Sequence, residues 1–254
     1  MPQTSRKPTA PSPRFRQIVD HLRSEIIGGS LPEYSALPSE RVVAELHGVS
    51  RMTARRALEA VEAEGLAYSE GRKGRFVSPK RLKYDISNMV SFAADAQAGG
   101  TELEIELISR GTATADTQLA AGLSVPVGEE LHEYARLFRI RGHATFFETE
   151  YVIARRFPEL LNHDLRQSTT KLLEQLYETF AHTGDIVVRM RALQADEAKL
   201  LGLAPYHAAI ELEQVIRDKA GEPFCLGRQI WRGELAEFSA QATVNRWRQG
   251  CCEH

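Results

Sequence analysis

Basic side chains crowd one stretch of this sequence: Arg51, Arg55 and Arg56, followed by Arg72 and Lys73. A guanidinium is a forked donor that keeps its charge, which suits phosphate oxygens and the O6 and N7 acceptors of guanine. Taken singly each of these residues is an ordinary solvated charge. Together they need elements that hold them on one surface.

The flanking pattern supplies such elements. Phe15, Ile18, Val19, Leu22 and Ile26 share one helical face, and Gly28-Gly29 ends it. Ser39 can cap a short helix through Leu46, His47-Gly48-Val49 makes a tight turn, and Ser50 can cap a third helix over about Arg51 to Glu64. The third helix buries Ala54, Ala57, Leu58 and Val61 as a stripe. Arg51, Arg55 and Arg56 fall outside it, and Met52 projects almost opposite, where it could meet a thymine methyl. Leu66 to Ser69 and Arg75 to Ser78 read as short strands around Glu70-Gly71-Arg72-Lys73-Gly74, a basic wing suited to phosphates or a minor groove. A helix, a helix-turn-helix and a basic hairpin in that order predict a DNA-binding domain over 14–78.

Charge divides the chain the same way. The net charge of −2 conceals 15 Lys and Arg against 9 Asp and Glu in residues 1–83, and 17 against 25 in the remainder. A basic module for a polyanion is thus joined to an acidic module with another task. With 43% hydrophobic and 26% charged residues over 254, the chain is of globular composition. Residues 1–13 hold four prolines and read as a disordered leader. No apolar run reaches membrane-span length and the start lacks the apolar core of a signal peptide, so a cytoplasmic protein without membrane contact is expected. Cys225 stands alone, Cys251 and Cys252 are adjacent, and the eight histidines are scattered, so neither a disulfide framework nor a metal site is expected. The usual phosphate-loop, dinucleotide, zinc-protease and serine-nucleophile fingerprints are absent, and no catalytic residue or cofactor is nominated.

Pro79 to Asp85 reads as a linker. Beyond it Leu103 to Ser109, Glu133 to Ile140, Thr145 to Ile153, Ala209 to Arg217 and Phe224 to Trp231 are strand-like, Asp218 to Pro223 is a turn, and Thr170 to Phe180 is helical. This predicts an α+β domain of antiparallel strands over 86–245, with a tail at 246–254.

The runs Leu37-Pro-Ser-Glu-Arg41, Gly48-Val-Ser-Arg51, Ala57-Leu58, Glu64-Gly-Leu66 and Phe76-Val77 resemble the GntR-type winged helix-turn-helix from Phe15 to Val77. The resemblance implies DNA contacts at Arg41, Ser50, Arg51, Met52 and Arg55 and at the wing near Gly71 and Arg72. Thr53, Arg56 and Lys73 complete the candidate set. A glycine is usual where Arg72 stands. From about Ile86 to Phe238 the chain resembles the UTRA sensor domain of the HutC-type branch, on Ser91-Phe92, Arg136-Leu137, Gly142, Glu148, Tyr151, Gly221-Glu-Pro223 and Trp231-Arg-Gly-Glu234. This implies a chorismate-lyase-like fold that has lost catalysis, binds a small effector and forms the homodimer. Its implied effector-binding positions are Phe92, Arg136, Phe138, Glu148, Ser168, Thr170, Cys225 and Trp231.

Sugar-phosphate-sensing relatives grip the phosphate with two arginines one residue apart. Here Phe138 replaces the second, Thr170 stands where tyrosine is frequent and Cys225 where glutamate is, which directs the expectation to a smaller or more apolar anion or acid. The expected function is a dimeric regulator, by default a repressor released by its effector, on a pseudo-palindromic operator. Two rivals remain open here: an enzyme of chorismate-lyase-like fold tethered to DNA, and a non-specific nucleic-acid-binding protein.

Overall fold

The computed structural model describes residues 13–70, 73–87, 92–93, 96 and 100–241. Gly71 and Arg72 of the wing, Ser91, residues 1–12 of the expected leader and the expected tail 246–254 lie outside them. Pro13, assigned to the leader, begins the first helix. The chain divides into two compact units. One holds the described residues to Arg81 with Ala192–Ala209 and Arg232–Leu235; the other holds Leu82–Arg191, Ile210–Trp231 and the described residues from Ala236 onward.

The first unit contains α1 (Pro13–Ile27), α2 (Glu40–His47), α3 (Arg51–Ala63), β1 (Ala67–Ser69) and β2 (Arg75–Val77). Both short helices start where a serine can satisfy an orphan amide: Ser39 accepts from Val42 N, and Ser50 from Thr53 N at 3.2 Å. Gly48 closes α2 at φ +60°, donating its amide to Ala44 O and Glu45 O, and this left-handed residue turns the chain straight into α3. Ile18 and Leu22 of α1, Val43 of α2 and the expected stripe Ala54, Ala57, Leu58 and Val61 of α3 share one core. Arg75 ties β2 to the helices through Glu40 at 3.3 Å and Glu62 at 3.2 Å. The same unit includes α4 (residues 195–201, Ala195–Leu201) and the fully buried Arg232, whose guanidinium carbon lies 4.5 Å from the Tyr68 ring centroid and which donates to Glu234.

Built mainly from the second unit, β4 (Leu103–Thr114), β5 (Glu130–Ile140), β6 (His143–Ile153), β7 (Thr183–Ala192), β8 (Ala208–Arg217) and β9 (Pro223–Arg232) form a six-stranded sheet in the order β4-β5-β6-β9-β8-β7. The register is antiparallel from β4 through β5 and β6 to β9. Helix α5 (Thr117–Leu123) follows β4, and α6 (Thr169–Tyr177) follows β6. A two-residue turn, Arg141 at φ +49° and Gly142 at φ +78°, links β5 to β6. Beyond it a bulge between Phe138 and Arg139 shifts the pairing by one residue, setting Phe138 opposite Phe146 and Arg136 opposite Glu148.

Part of the expected linker is ordered. Leu82–Asp85 forms β3, which pairs in parallel with β10 (Ala236–Ser239). The alternation Leu82, Lys83, Tyr84, Asp85 is strand-like, and the buried Tyr84 anchors it.

Replacing Gly48 by Ala isolates the backbone cost of the left-handed turn, because nothing lies within 4 Å of the added Cβ. A loss of about 1–2 kcal/mol in the stability of the winged unit is expected by chemical denaturation.

Candidate functional site

The N-termini of α2 and α3 and the wing border one open cleft of about 500 Å³, lined among others by Ser39, Arg41, Arg51, Lys73 and Arg75. Arg41, Arg51, Arg55 and Arg56 are all exposed. Arg55 is ion-paired to Glu59 at 2.8 Å and Arg41 to Glu45 at 3.5 Å, one helical turn on in each case. Lys73 reaches Glu70 at 2.8 Å. Such exposed pairs contribute little and exchange readily for a phosphate partner. Met52 is 58% exposed on the same helix. Ser50 already serves as the α3 cap, and its hydroxyl lies 3.0 Å from Thr53 Oγ1.

A second site lies on one face of the large sheet. Alternation along β5, β6 and β9 presents Tyr134, Arg136 and Phe138 beside Phe146, Glu148 and Glu150, and these beside Trp231, Gln229 and Cys225. Between the sheet and Thr169–Thr170 at the start of α6 is a narrow cleft with about 20 Å³ of free space, partly open to solvent, lined by Glu148, Glu150, Gln214 and Gln229 at its polar end and by Tyr84, Phe92, Phe138 and Phe146 at the other. Phe146 stacks between Phe138 and Trp231 at centroid distances of 4.1 and 3.8 Å, with Phe92 edge-on.

The charged groups are buried and closely paired. Arg136 Nη2 donates to Glu148 Oε2 at 2.5 Å, Glu150 Oε1 at 2.8 Å and Thr169 Oγ1 at 3.0 Å; Nη1 donates to the carbonyls of Leu165 and Gln167. Gln229 donates to the other oxygen of Glu148, while Thr169 and the Cys225 thiol donate to Glu150. Burial, then the adjacent Glu148 charge, push the Glu150 carboxyl up to about 7 against the pull of Arg136. Burial first, and then Glu150, also raise the Tyr134 and Cys225 groups, which therefore stay protonated.

Of the residues expected at an effector site, Phe92, Phe138, Glu148 and Thr170 line the cleft. Arg136, Cys225 and Trp231 stand behind it, bonded to Glu148, Glu150 and Gln229 respectively. Ser168 caps α6 and lies 3.1 Å from the Thr170 hydroxyl. The expectation of an anion depended on a guanidinium free to grip it, whereas both terminal nitrogens of Arg136 are engaged by protein oxygens. Glu150, Thr169, Gln214 and Gln229 were not anticipated. Period two from Glu148 points to Glu150, but no local pattern points to the other three.

A helix-turn-helix with exposed arginines at its N-terminal helix ends, in a chain that also carries a sheet-built second domain, defines a transcription regulator that binds DNA. Residues 15–77 match the family of bacterial regulatory proteins, gntR family, and residues 98–237 match the UTRA domain. The chain belongs to the GntR family and carries a UTRA domain. It is 25% identical to the HTH-type transcriptional repressor NagR of Bacillus subtilis over 90% of this chain and 94% of that protein. It is also 25% identical to the histidine utilization repressor of Pseudomonas aeruginosa over 94% of this chain and 90% of that protein. The crystal structure of PhnF from Mycobacterium smegmatis shares the fold with a TM-score of 0.63 and 24% identity, covering 90% of this chain and all of that one. Family membership makes the chain a transcription regulator and removes the tethered-enzyme alternative.

The raised Glu150 carboxyl has a consequence for stability. The folded chain holds this proton more tightly than the unfolded chain does, so its contribution is fully present below the usual carboxylate value of 4.5 and is lost as pH rises through about 7. Urea midpoints of the full chain are expected to fall between about pH 5 and about pH 8, and Glu150→Gln is expected to flatten that slope.

Proposed function

We propose that the chain is a cytoplasmic, homodimeric repressor that binds a pseudo-palindromic operator through its winged unit and leaves it when the sheet cleft takes up a small-molecule effector. The observation that carries this reading is the exposed arginine set at the N-terminal ends of α2 and α3, held there by two serine caps and a glycine turn. Arg51 and Arg56 read base edges or phosphates from α3, with Arg55 exchanging Glu59 for a phosphate and Met52 meeting a thymine methyl. Ser50 and Thr53 contact the backbone at the helix N-terminus, where the dipole favours an anion. Arg41, Gly71, Arg72 and Lys73 complete the contact from α2 and the wing.

The repressor sign follows the two similar repressors, and the effector site follows the cleft in the UTRA region. An effector that binds one dimer geometry better than another by about 1–3 kcal/mol changes operator affinity about 5- to 150-fold without touching DNA. Arg51→Ala is expected to weaken operator binding by about 1–3 kcal/mol in fluorescence anisotropy on duplexes from the gene's own upstream region, with the dimer intact in sedimentation. Arg55→Ala is expected to cost less, since Glu59 competes for its guanidinium. Equal binding of the unmodified protein to a scrambled duplex would favour non-specific nucleic-acid binding instead.

A further inference from the structure

The wing strands have two faces. Ala67 and its partner Val77 join the helical core of the winged unit, and Arg75, two residues before Val77, turns the same way to Glu40 and Glu62. Tyr68 and its partner Phe76 stack on the opposite face at a centroid distance of 5.8 Å. Tyr68 is 1% exposed although it lies outside that core. Its cover includes Arg232, fully buried, with the guanidinium carbon 4.5 Å from the centre of the Tyr68 ring. A hairpin of three residue pairs is too short to hold its own shape, and a buried guanidinium is tolerated only where acceptors meet it. Both requirements are met at this contact. Glu234 Oε1 accepts from Arg232 Nε at 3.0 Å and from Nη2 at 2.9 Å, and the Tyr68 ring takes the flat face of the cation. His207 lies 3.7 Å from the other Glu234 oxygen. Against burial, the strongest influence, His207 and Arg232 hold the Glu234 carboxyl down to about 2, so it is ionised at neutral pH. Gly202, which caps α4, stands close to Glu70: a Cβ there would lie 3.6 Å from Glu70 Cγ, and Glu70 is the partner of Lys73. Residues 202, 207 and 232–234 all lie outside the DNA-binding match at 15–77.

We propose that Arg232 is a positioning residue for DNA binding: by covering Tyr68 and gripping Glu234 it seats the wing hairpin, so that the wing's phosphate contacts depend on a side chain buried away from DNA. This goes beyond the contacts assigned to the wing and names what holds them in place. The helical core fixes one face of the hairpin and Arg232 the other, so losing the guanidinium frees the wing while leaving the packing of α3 intact. Lys73 then reaches its phosphate from a less ordered hairpin and at a greater cost in entropy. Arg232 is also the last residue of β9, so the seat of the wing is covalently continuous with a strand of the large sheet.

The test uses the full-length protein and Arg232→Met, which keeps an unbranched side chain but removes the charge and the fork. Hydrogen exchange read by mass spectrometry needs no DNA. The variant is expected to exchange about tenfold faster in residues 67–70 and 74–77 while 51–63 keep their protection. Duplex affinity is read by fluorescence anisotropy on the gene's own upstream region and on a random duplex at about 50 mM salt, because a phosphate contact acts on any sequence. Arg232→Met is expected to weaken both complexes about tenfold and to lower the salt slope by about one. In double-mutant cycles this loss should largely vanish in a Lys73→Ala background and persist in an Arg51→Ala background, since only Lys73 acts through the wing. If Arg232→Met does not fold, Arg232→Lys replaces it; that variant keeps a cation over the ring, loses the fork onto Glu234, and is expected to show the same changes at smaller size. Unchanged exchange in the wing, or unchanged affinity for both duplexes, overturns the proposal. Exchange that rises through 51–63 as well, or a loss that adds in full to that of Lys73→Ala, makes Arg232 a general stabiliser of the unit and overturns it too.

Discussion

One arginine organises the UTRA half of this protein. Arg136 brings a full charge into the interior, and a buried guanidinium is tolerated only when its donors meet acceptors. Its partners come from β6, from the segment before α6 and from the first turn of α6 itself, so the network binds three parts of the chain to one group. Nε of Arg136 has no hydrogen-bond partner in the structure; the flanking Tyr134 and Phe138 rings lie 5.3 and 5.5 Å from the guanidinium carbon. Removing any one partner would leave an uncompensated buried charge, so the cluster stands or falls as a unit.

The DNA-facing half follows the opposite economy of charge. Arg41 and Arg55 are exposed, paired with neighbours on their own helices, and displayed by caps that consume no charged group. Arg75, by contrast, is held by Glu40 and Glu62, which makes it part of the scaffold of the cleft rather than a free cation. Weak local pairs keep the side chains soluble and leave them available to phosphates.

The DNA-binding fold was legible because its determinants are local. Caps at Ser39 and Ser50, the Gly48 turn and the apolar stripe of α3 each act within a turn or two of chain, and the structure places them where the pattern put them. The sheet was legible as antiparallel strands, since alternation is also local. Its extents were less so: β4 runs on to Thr114, β5 begins at Glu130, β7 went unread, and the expected linker carries β3, whose partner β10 is distant in sequence.

Residue types and their spacing thus determined by themselves the winged helix, the basic surface and the aromatic and charged positions of the UTRA domain. Which of those positions meet was decided only by the tertiary structure. The bulge after Phe138 moves the β5–β6 register by one residue; without it Arg136 would stand opposite Phe147, on the other face from Glu148 and Glu150. The partners Gln229, Cys225 and Thr169 come from elements far along the chain, joined by strand order and helix packing. A lone sequence shows that an arginine and two glutamates are present, but desolvation and pairing arise from the fold, and these engage both terminal nitrogens of Arg136 with protein oxygens.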